Sequence, residues 1–278
     1  MKIFRILTLF LLATVSSALF AQSDFRRLEP AEAAAVLDEF RAFRMNGDAC
    51  MKFTITHRLR KSDEEKYFAG TLYAAWESDA PVLRIEIRAL SETNAPAKKF
   101  LLRGGKSPEL WTLDEENRPV RLDELSTRPF FDDLIFAPFD LQTPFVYWPG
   151  AEYERTRRFR GRPVHFFKMT PPEDFRESHP DVSRVRIGFD RVYNALVSAE
   201  VFDADGKIRK TFSLSGVQKV QDQYTIRELE LRDETTRDKD EFVVRSAAMN
   251  LRLPRAAFTP EGLAAPAPAV PAARFTRL

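Results

Sequence analysis

The chain contains few cysteines and histidines, on which many redox, metal and nucleophilic sites are built. Its 278 residues include one cysteine, Cys50, and three histidines. A single thiol cannot form an internal disulfide, so packing must stabilise the fold. His57, His165 and His179 are not spaced as in HExxH, and the GxSxG, P-loop and GxGxxG motifs are absent. We therefore expect no enzyme activity, no catalytic residue, no metal and no cofactor.

The charge of the chain is nearly balanced, which argues against nucleic acid as a partner. There are 43 Lys and Arg residues and 41 Asp and Glu residues. A balanced chain has no overall field that attracts a polyanion. The most concentrated charge is the basic run RTRRFRGR, from Arg155 to Arg162. We interpret it either as a polar hairpin or as a docking site for an anionic membrane surface or an acidic partner, weakened by salt.

The N-terminus has the layout of a secretory signal. Two basic residues precede an apolar run over residues 6–15, and small residues follow. The run is short for a membrane span, although an uncleaved anchor is the alternative. Cleavage is expected after Ala18 or Ala21, and neither position is followed by the cysteine of a lipoprotein signal. We expect residues 1–21 to be a signal peptide and the mature chain to be periplasmic.

Apolar periodicity predicts one early helix and then a succession of strands. From Pro30 the segment PAEAAAVLDEFRAFRM places apolar residues three and four positions apart, with proline in the first turn. From Ala49 onward, apolar and polar residues alternate in short runs separated by turn residues. About ten to twelve such strands imply an antiparallel meander that curls strongly. Residues 264–278, rich in Ala and Pro, are predicted to be a disordered tail.

One segment fits neither pattern. Residues 129–150, PFFDDLIFAPFDLQTPFVYWPG, are rich in phenylalanine, and their prolines rule out one continuous helix or a central strand. We predict a short helix capped by Thr127 and ended by Pro138, which would act as a lid, and then a crossover to the rim of the sheet. Core filling is the alternative role of these rings. The residues expected to line an apolar ligand site are Phe131, Leu134, Ile135, Phe136, Phe139, Phe145, Tyr147 and Trp148, together with Trp76 and Phe40.

The later part of the chain resembles a known family. The stretches that carry the resemblance are PFVYWP, RGRPVHFFKMTP, FDRVYNALVSAEVFDADGKIRKTF and LPRAAFTPEGL. They resemble the periplasmic outer-membrane lipoprotein-sorting proteins related to Lol-type lipoprotein carriers, over residues 30–263 and most clearly over 130–263. The resemblance implies a mainly β (α+β) fold, in which a strongly curved antiparallel sheet forms an incomplete barrel with helices as a lid in its concave side. We expect this half-barrel domain to span residues 22–263.

The resemblance also implies a function. A protein of this family would be a periplasmic carrier or binding protein for lipoproteins or other acylated lipids, with a role in outer-membrane biogenesis. Each buried methylene contributes about 0.8 kcal/mol, so acyl chains bind between sheet and lid without charged contacts. An inner-membrane transporter is the expected protein partner, with transient membrane contact and a monomeric state. The alternative is an envelope interaction module, such as an exporter accessory, whose core is filled by its own rings and which has no lipid ligand.

Overall fold

The computed structural model describes most of the chain after the N-terminal region. The described ranges are 25–77, 80–92, 95–190, 192–193 and 195–278. The predicted signal peptide, residues 1–21, lies outside them. Within these ranges, none of the helices has the length and apolar character needed to cross a membrane.

The early helix is present where the periodicity predicts it. Helix α1 spans Pro30–Ala42 and begins with proline in its first turn. The Glu32 side chain accepts a hydrogen bond from the backbone N–H of Glu29 at 2.9 Å, which satisfies one of the free donors at the helix start. Three short helices follow in the described chain: α2 (Pro138–Gln142), α3 (Glu173–Ser178) and α4 (Pro260–Ala264).

In the described ranges of the chain, fourteen strands form one antiparallel sheet. They are β1 (Asp48–Arg58), β2 (Glu65–Glu77), β3 (Ala80–Ala89), β4 (Lys98–Arg103), β5 (Glu109–Leu113), β6 (Pro119–Arg121), β7 (Glu152–Phe159), β8 (Arg162–Met169), β9 (Arg184–Asp190), β10 (Ala195–Phe202), β11 (Ile208–Val220), β12 (Gln223–Asp233), β13 (Lys239–Leu251) and β14 (Thr276–Arg277). The order is β6-β5-β4-β3-β2-β1-β13-β12-β11-β10-β9-β8-β7, and β14 pairs with β13. Among the strands that the structure describes, β6 and β7 are the two edges of this order and do not pair, so the sheet does not close into a barrel.

The sheet must curve strongly, because a single short helix contacts strands that are far apart in its order. The amide of Gln142 donates to the carbonyl oxygens of Arg103 in β4 and Glu109 in β5, at 3.1 and 2.8 Å. Asp140, two residues earlier, pairs with Lys210 in β11 at 2.7 Å. In a flat sheet, β4 and β11 would lie about 29 Å apart, at about 4.8 Å per strand. Bending brings them within reach of one helix, as the expected incomplete barrel requires.

Different segments of the chain pack on the two faces of the sheet. We call the face that contacts residues 129–150 the inner face and the opposite one the outer face. In β1, Phe53 and Ile55 pack on the inner side with Phe136, whereas Cys50 packs on the outer side with Leu253 and other residues near the C-terminus. This alternation follows from the two-residue repeat of a strand. The sequence pattern therefore predicts correctly which side chains share a face.

The C-terminal residues lie on the outer face, in contrast to the disordered tail that their composition predicts. Fully buried Arg84 of β3 donates to the carbonyl oxygens of Gly262 and Ala265, at 2.9 and 2.7 Å. Farther along, Val270 and Phe275 pack against the outer core. Prolines suppress helix and internal strand pairing, but they are compatible with an extended chain that packs through its side chains. The predicted disorder is therefore wrong, because these residues pack on the outer core and the last of them, in β14, pair with β13.

The reactivity of Cys50, the single cysteine, tests how firmly the C-terminal residues cover the outer face. Burial raises the pKa of the Cys50 thiol to about 12. At pH 8 we expect alkylation by iodoacetamide to be slower in the native protein than in the urea-unfolded chain by on the order of a thousandfold, since the thiolate is the reactive form. Mass spectrometry of the adduct over time measures both rates. Similar rates in the two states would show that the outer covering opens readily.

Candidate ligand site on the inner face

We define the aromatic segment as residues 129–150. Its first half is built of turns. The predicted helix from Thr127 to Pro138 is wrong, because residues 126–137 form turns and bends, and Pro138 begins helix α2. Proline has no N–H to lose at the first helical position, so it starts a helix as readily as it ends one. The Asp140 carboxylate accepts from the Ala137 backbone N–H at 2.8 Å and fixes this start. The predicted lid therefore corresponds to a looped segment followed by the short helix α2, and not to one helix.

The first half of the segment packs on strands from the first part of the chain and on β13. Phe131 lies 5.0 Å from Phe68, and Phe136 lies 5.5 Å from Phe242, between ring centroids. Leu134 is buried in the same cluster, and Ile135 packs at its edge. Four of the predicted site residues are thus brought together here, in contact with the sheet.

The second half forms a separate aromatic cluster. Phe139 lies 5.4 Å from Phe145 and 6.3 Å from Trp148, between ring centroids. Tyr147 packs at the border of this cluster, as does Phe40 of α1. Arg41, the next residue of α1, donates to the Val146 carbonyl oxygen at 2.9 Å and ties the helix to the segment.

The tenth predicted residue, Trp76, lies at the end of β2. The guanidinium of Arg44 sits 4.5 Å from its ring centroid. The structure therefore distributes the ten predicted residues over three places. Phe136, Phe139 and Phe145 are only 1%, 1% and 3% exposed, and their contacts are to other side chains of the protein.

A buried carboxylate anchors the first half of the segment. Asp240 of β13 is fully buried, and its Oδ2 accepts from the backbone N–H groups of Ile135 and Phe136 at 2.7 and 2.8 Å. Its Oδ1 lies 2.7 Å from Nδ1 of His57 in β1. Sequence reasoning missed Asp240, because an acidic residue at the start of a strand ordinarily faces solvent.

A second buried carboxylate anchors the other half. Asp140 of α2 pairs with Lys210 at 2.7 Å. Burial raises the pKa of Asp140 above its ordinary value, and the Lys210 ammonium opposes this shift. The two anchors, Asp240 and Asp140, hold a segment that contributes no strand to the sheet.

An open groove of about 630 Å³ lies beside the first half of the segment. Its lining includes the apolar residues Phe100, Leu110, Leu113, Leu122, Leu125 and Phe130, together with the charged residues Lys98, Lys99, Asp114 and Arg128. Lys98 stands at its border and donates to the Phe130 carbonyl oxygen at 3.3 Å. None of the ten predicted residues lines this groove, although the aromatic segment itself supplies one wall through Phe130. The adjacent residues Phe130 and Phe131 are the sequence signal that could have identified this groove. The prediction included only Phe131.

The described part of the chain offers no cluster of His, Cys, Asp and Glu suited to a metal ion. The inner face carries the apolar groove, the ring clusters and the two buried anchors described above. Such a site can hold an apolar ligand by burial.

The chain folds as an open, curved antiparallel sheet that is crossed on its inner face by short helices, and several solved structures have a similar fold. Among solved structures, a domain described as an outer membrane lipoprotein-sorting protein, from Vibrio parahaemolyticus, matches with a TM-score of 0.69 at 15% identity, over 84% of this chain and 97% of that one. A DUF1329 family protein from Desulfovibrio piger matches with 0.66 at 14% identity, over 84% and 96%. A LolA superfamily protein from Nitrosomonas europaea matches with 0.60 at 13% identity, over 82% and 97%.

The chain belongs to the family whose model is described as "Uncharacterized protein", because that model matches residues 90–265, more than half of the chain. The comparison with curated proteins finds no match. At these identities the solved structures establish the fold, and they confirm the mainly β half-barrel that the sequence predicts.

Proposed function

We propose that the protein is a periplasmic carrier or binding protein for lipoproteins or other acylated lipids, and that it acts without catalysis. The observation that supports this most directly is the apolar groove beside a segment held by side-chain anchors. A segment outside the strand ladder can shift without breaking the sheet, because its backbone takes no part in strand pairing. The Lol-like fold of the chain is consistent with such a role.

In the proposed mechanism, an acyl chain enters the groove along Phe100 and Phe130. Further methylenes are accommodated as the first half of the aromatic segment moves away from β2 and exposes Phe68 and Phe131. Each methylene that becomes buried contributes about 0.8 kcal/mol, which offsets the lost ring contacts. The predicted site residues Leu134, Ile135 and Phe136 would then face the ligand.

The proposed partners follow from the same role. An inner-membrane transporter would load the ligand, and the protein would act as a monomer with transient membrane contact. The basic run lies on the hairpin of β7 and β8, where Arg155, Arg158 and Arg160 are exposed. These cations would attract an anionic lipid surface over about one Debye length, close to 10 Å at 0.1 M salt.

A second candidate function is an envelope interaction module with no lipid ligand. The observation that favours it is the burial of Phe136, Phe139 and Phe145 against other rings of the chain. In that case the segment is a permanent part of the core, and the exposed surfaces of the protein carry its function.

Cross-linking the segment to the sheet separates these candidates. Lys66 of β2 and Asp133 of the segment meet at 2.6 Å and are both partly exposed, so cysteines at these positions lie within reach of a short bis-maleimide. Buried Cys50 should not react under the same conditions. We expect the linked Lys66→Cys, Asp133→Cys variant to lose most of its uptake of a fluorescent fatty acid, because the segment can no longer move.

The same double variant without the linker is the matched control and should take up the probe like the native protein. Mass spectrometry of lipids that co-purify with the native protein provides an independent measurement. Absence of both co-purified lipid and probe uptake would exclude the carrier and favour the interaction module. Full uptake by the linked protein would show that the groove alone binds the ligand and that the segment is not a gate.

A further inference from the structure

The apolar groove is lined by more cations than carboxylates. Its ionisable residues are three cations, Lys98, Lys99 and Arg128, and one acid, Asp114. Asp114 is already engaged, because the backbone N–H of Arg118 donates to its Oδ1 and the Arg118 Nε donates to its Oδ2, each at 2.8 Å. The charge of this carboxylate is therefore balanced by Arg118, and the border of the groove keeps an excess of positive charge.

Lys98 places its ammonium beside one wall of the groove. It is exposed and begins β4, and its Nζ donates to the Phe130 carbonyl oxygen at 3.3 Å. The same nitrogen lies 4.2 Å from the ring centroid of Phe131. An ammonium has three N–H donors, so one hydrogen bond to a carbonyl leaves two donors for a ligand. Lys99, the next residue, points to the opposite face of the strand and contributes only a more distant charge.

Arg128 brings a second cation to the same wall. It precedes Phe130 by two residues, so their Cα atoms are no more than about 7 Å apart. Arg128 is exposed and lines the groove, and among the described residues its guanidinium has neither a hydrogen bond nor an ion pair. Its N–H donors form a fixed fork that matches two oxygens of a carboxylate or a phosphate. Lys98 and Arg128 thus approach Phe130 from β4 and from the residues just before the aromatic segment.

We infer that the groove selects acyl chains whose head group is an oxyanion, a carboxylate or a phosphate. The inference rests on the proposed binding of an acyl chain in this groove and adds the chemistry of its head group. The methylenes contact Phe100 and Phe130, and the oxyanion accepts from Lys98 and Arg128. Charge-assisted hydrogen bonds are stronger than neutral ones, and apolar walls screen them less than bulk water does. A neutral or cationic head group gains no such interaction.

Displacement of the neutral fluorescent probe N-phenyl-1-naphthylamine at pH 8 tests the inference. The competitors dodecanoate, dodecanol and dodecylammonium have the same chain length and differ in head-group charge. We expect dodecanoate to displace the probe at a concentration at least about fivefold lower than dodecanol, and dodecylammonium to be the weakest competitor. A purely apolar groove would prefer dodecanol, because a carboxylate loses more hydration on burial. The preference for dodecanoate should decrease at about 1 M salt, which screens exposed charges.

The outcomes separate this inference from the proposed function. Displacement by dodecanol at the same or a lower concentration than dodecanoate would overturn the inference and leave acyl-chain binding in place. No displacement by any of the three competitors would overturn both. Dodecyl phosphate, as a fourth competitor, identifies the source of the oxyanion. Tighter binding of dodecyl phosphate than of dodecanoate would identify a lipid phosphate, and the reverse order would identify a fatty acid.

Two variants locate the head group. Lys98→Met and Arg128→Met keep an apolar stem and remove one cation each. We expect each to weaken dodecanoate binding about three- to fivefold, as for one exposed ion pair, and to leave dodecanol binding unchanged. Lys106→Met, in the exposed turn that follows the other end of β4, is the matched control and should bind both like the native protein. Native-like dodecanoate binding in both groove variants, or an equal loss of dodecanol binding, would overturn the inference.

Discussion

Replacing Asp240 by alanine is expected to lower the free energy of unfolding by about 3–6 kcal/mol. The carboxylate is fully buried and accepts from the backbone N–H groups of Ile135 and Phe136, and it also contacts His57. Alanine leaves these groups without a partner in a site that water does not reach. Each buried polar group left unsatisfied costs about 1–3 kcal/mol. Urea unfolding followed by tryptophan fluorescence measures the change.

Asp240→Asn is the matched control for this prediction. The asparagine oxygen can accept from both N–H groups, and its amide can donate to His57 after a change of tautomer. We therefore expect Asp240→Asn to retain most of the stability that Asp240→Ala loses. An alanine variant as stable as the native protein would show that the first half of the segment is held by its rings alone.

Replacing Lys210 by methionine is expected to lower the free energy of unfolding by about 3–5 kcal/mol at pH 7. The ammonium is the partner of the buried Asp140 carboxylate, at 2.7 Å. Without it, a charge is left unpaired at the start of α2, where the second half of the aromatic segment is anchored. The loss of stability arises mainly from this unpaired carboxylate, since methionine preserves most of the apolar volume of the lysine stem.

The effect of Lys210→Met should depend on pH in a defined direction. Burial already raises the pKa of Asp140 above its ordinary 3.8, and removing the ammonium raises that pKa further. The folded state then binds a proton that the unfolded chain does not, so the free energy of unfolding increases as pH falls through the folded pKa toward 3.8. The loss relative to the native protein should therefore be smaller at pH 5 than at pH 7.

The double variant Asp140→Asn, Lys210→Met distinguishes this cause from simple loss of packing. It carries no buried charge, and asparagine can still accept from the Ala137 N–H. We expect it to recover more than half of the lost stability at pH 7 and to show little of the pH dependence. A double variant as unstable as Lys210→Met at both pH values would rule out the unpaired carboxylate as the cause.

Local sequence patterns predicted those strands and helices in which each face of the element has a single environment, either buried or exposed. Alternation in β1, with Phe53 and Ile55 on one side and Cys50 on the other, is a property of the strand itself and can be read without the rest of the chain. The same holds for α1, where the spacing of Val36 and Leu37 defines a buried stripe. The number of strands then required a curved sheet, as observed.

The candidate site could be predicted only in part, because its geometry depends on residues that are distant in sequence. Pro138 suits both the end and the start of a helix, and the choice depends on Asp140 and Lys210, seventy positions apart. The anchor Asp240 lies more than a hundred positions after Phe136. No local sequence pattern connects residues that are so far apart. The aromatic composition therefore identified the segment but not the residues that it contacts.

The pairing of β1 with β13 determines the order in which this molecule can assemble. His57 and Asp240 stand opposite each other in that pairing, across 183 positions of chain. All other neighbouring pairs along the main strand order join strands consecutive in sequence, so each half of the sheet can form as a local meander. The carboxylate that seats the aromatic segment reaches its place only when this last, long-range seam closes. Joining the two halves and docking the segment are thus coupled steps of folding, and a chain shortened before β13 would lose both.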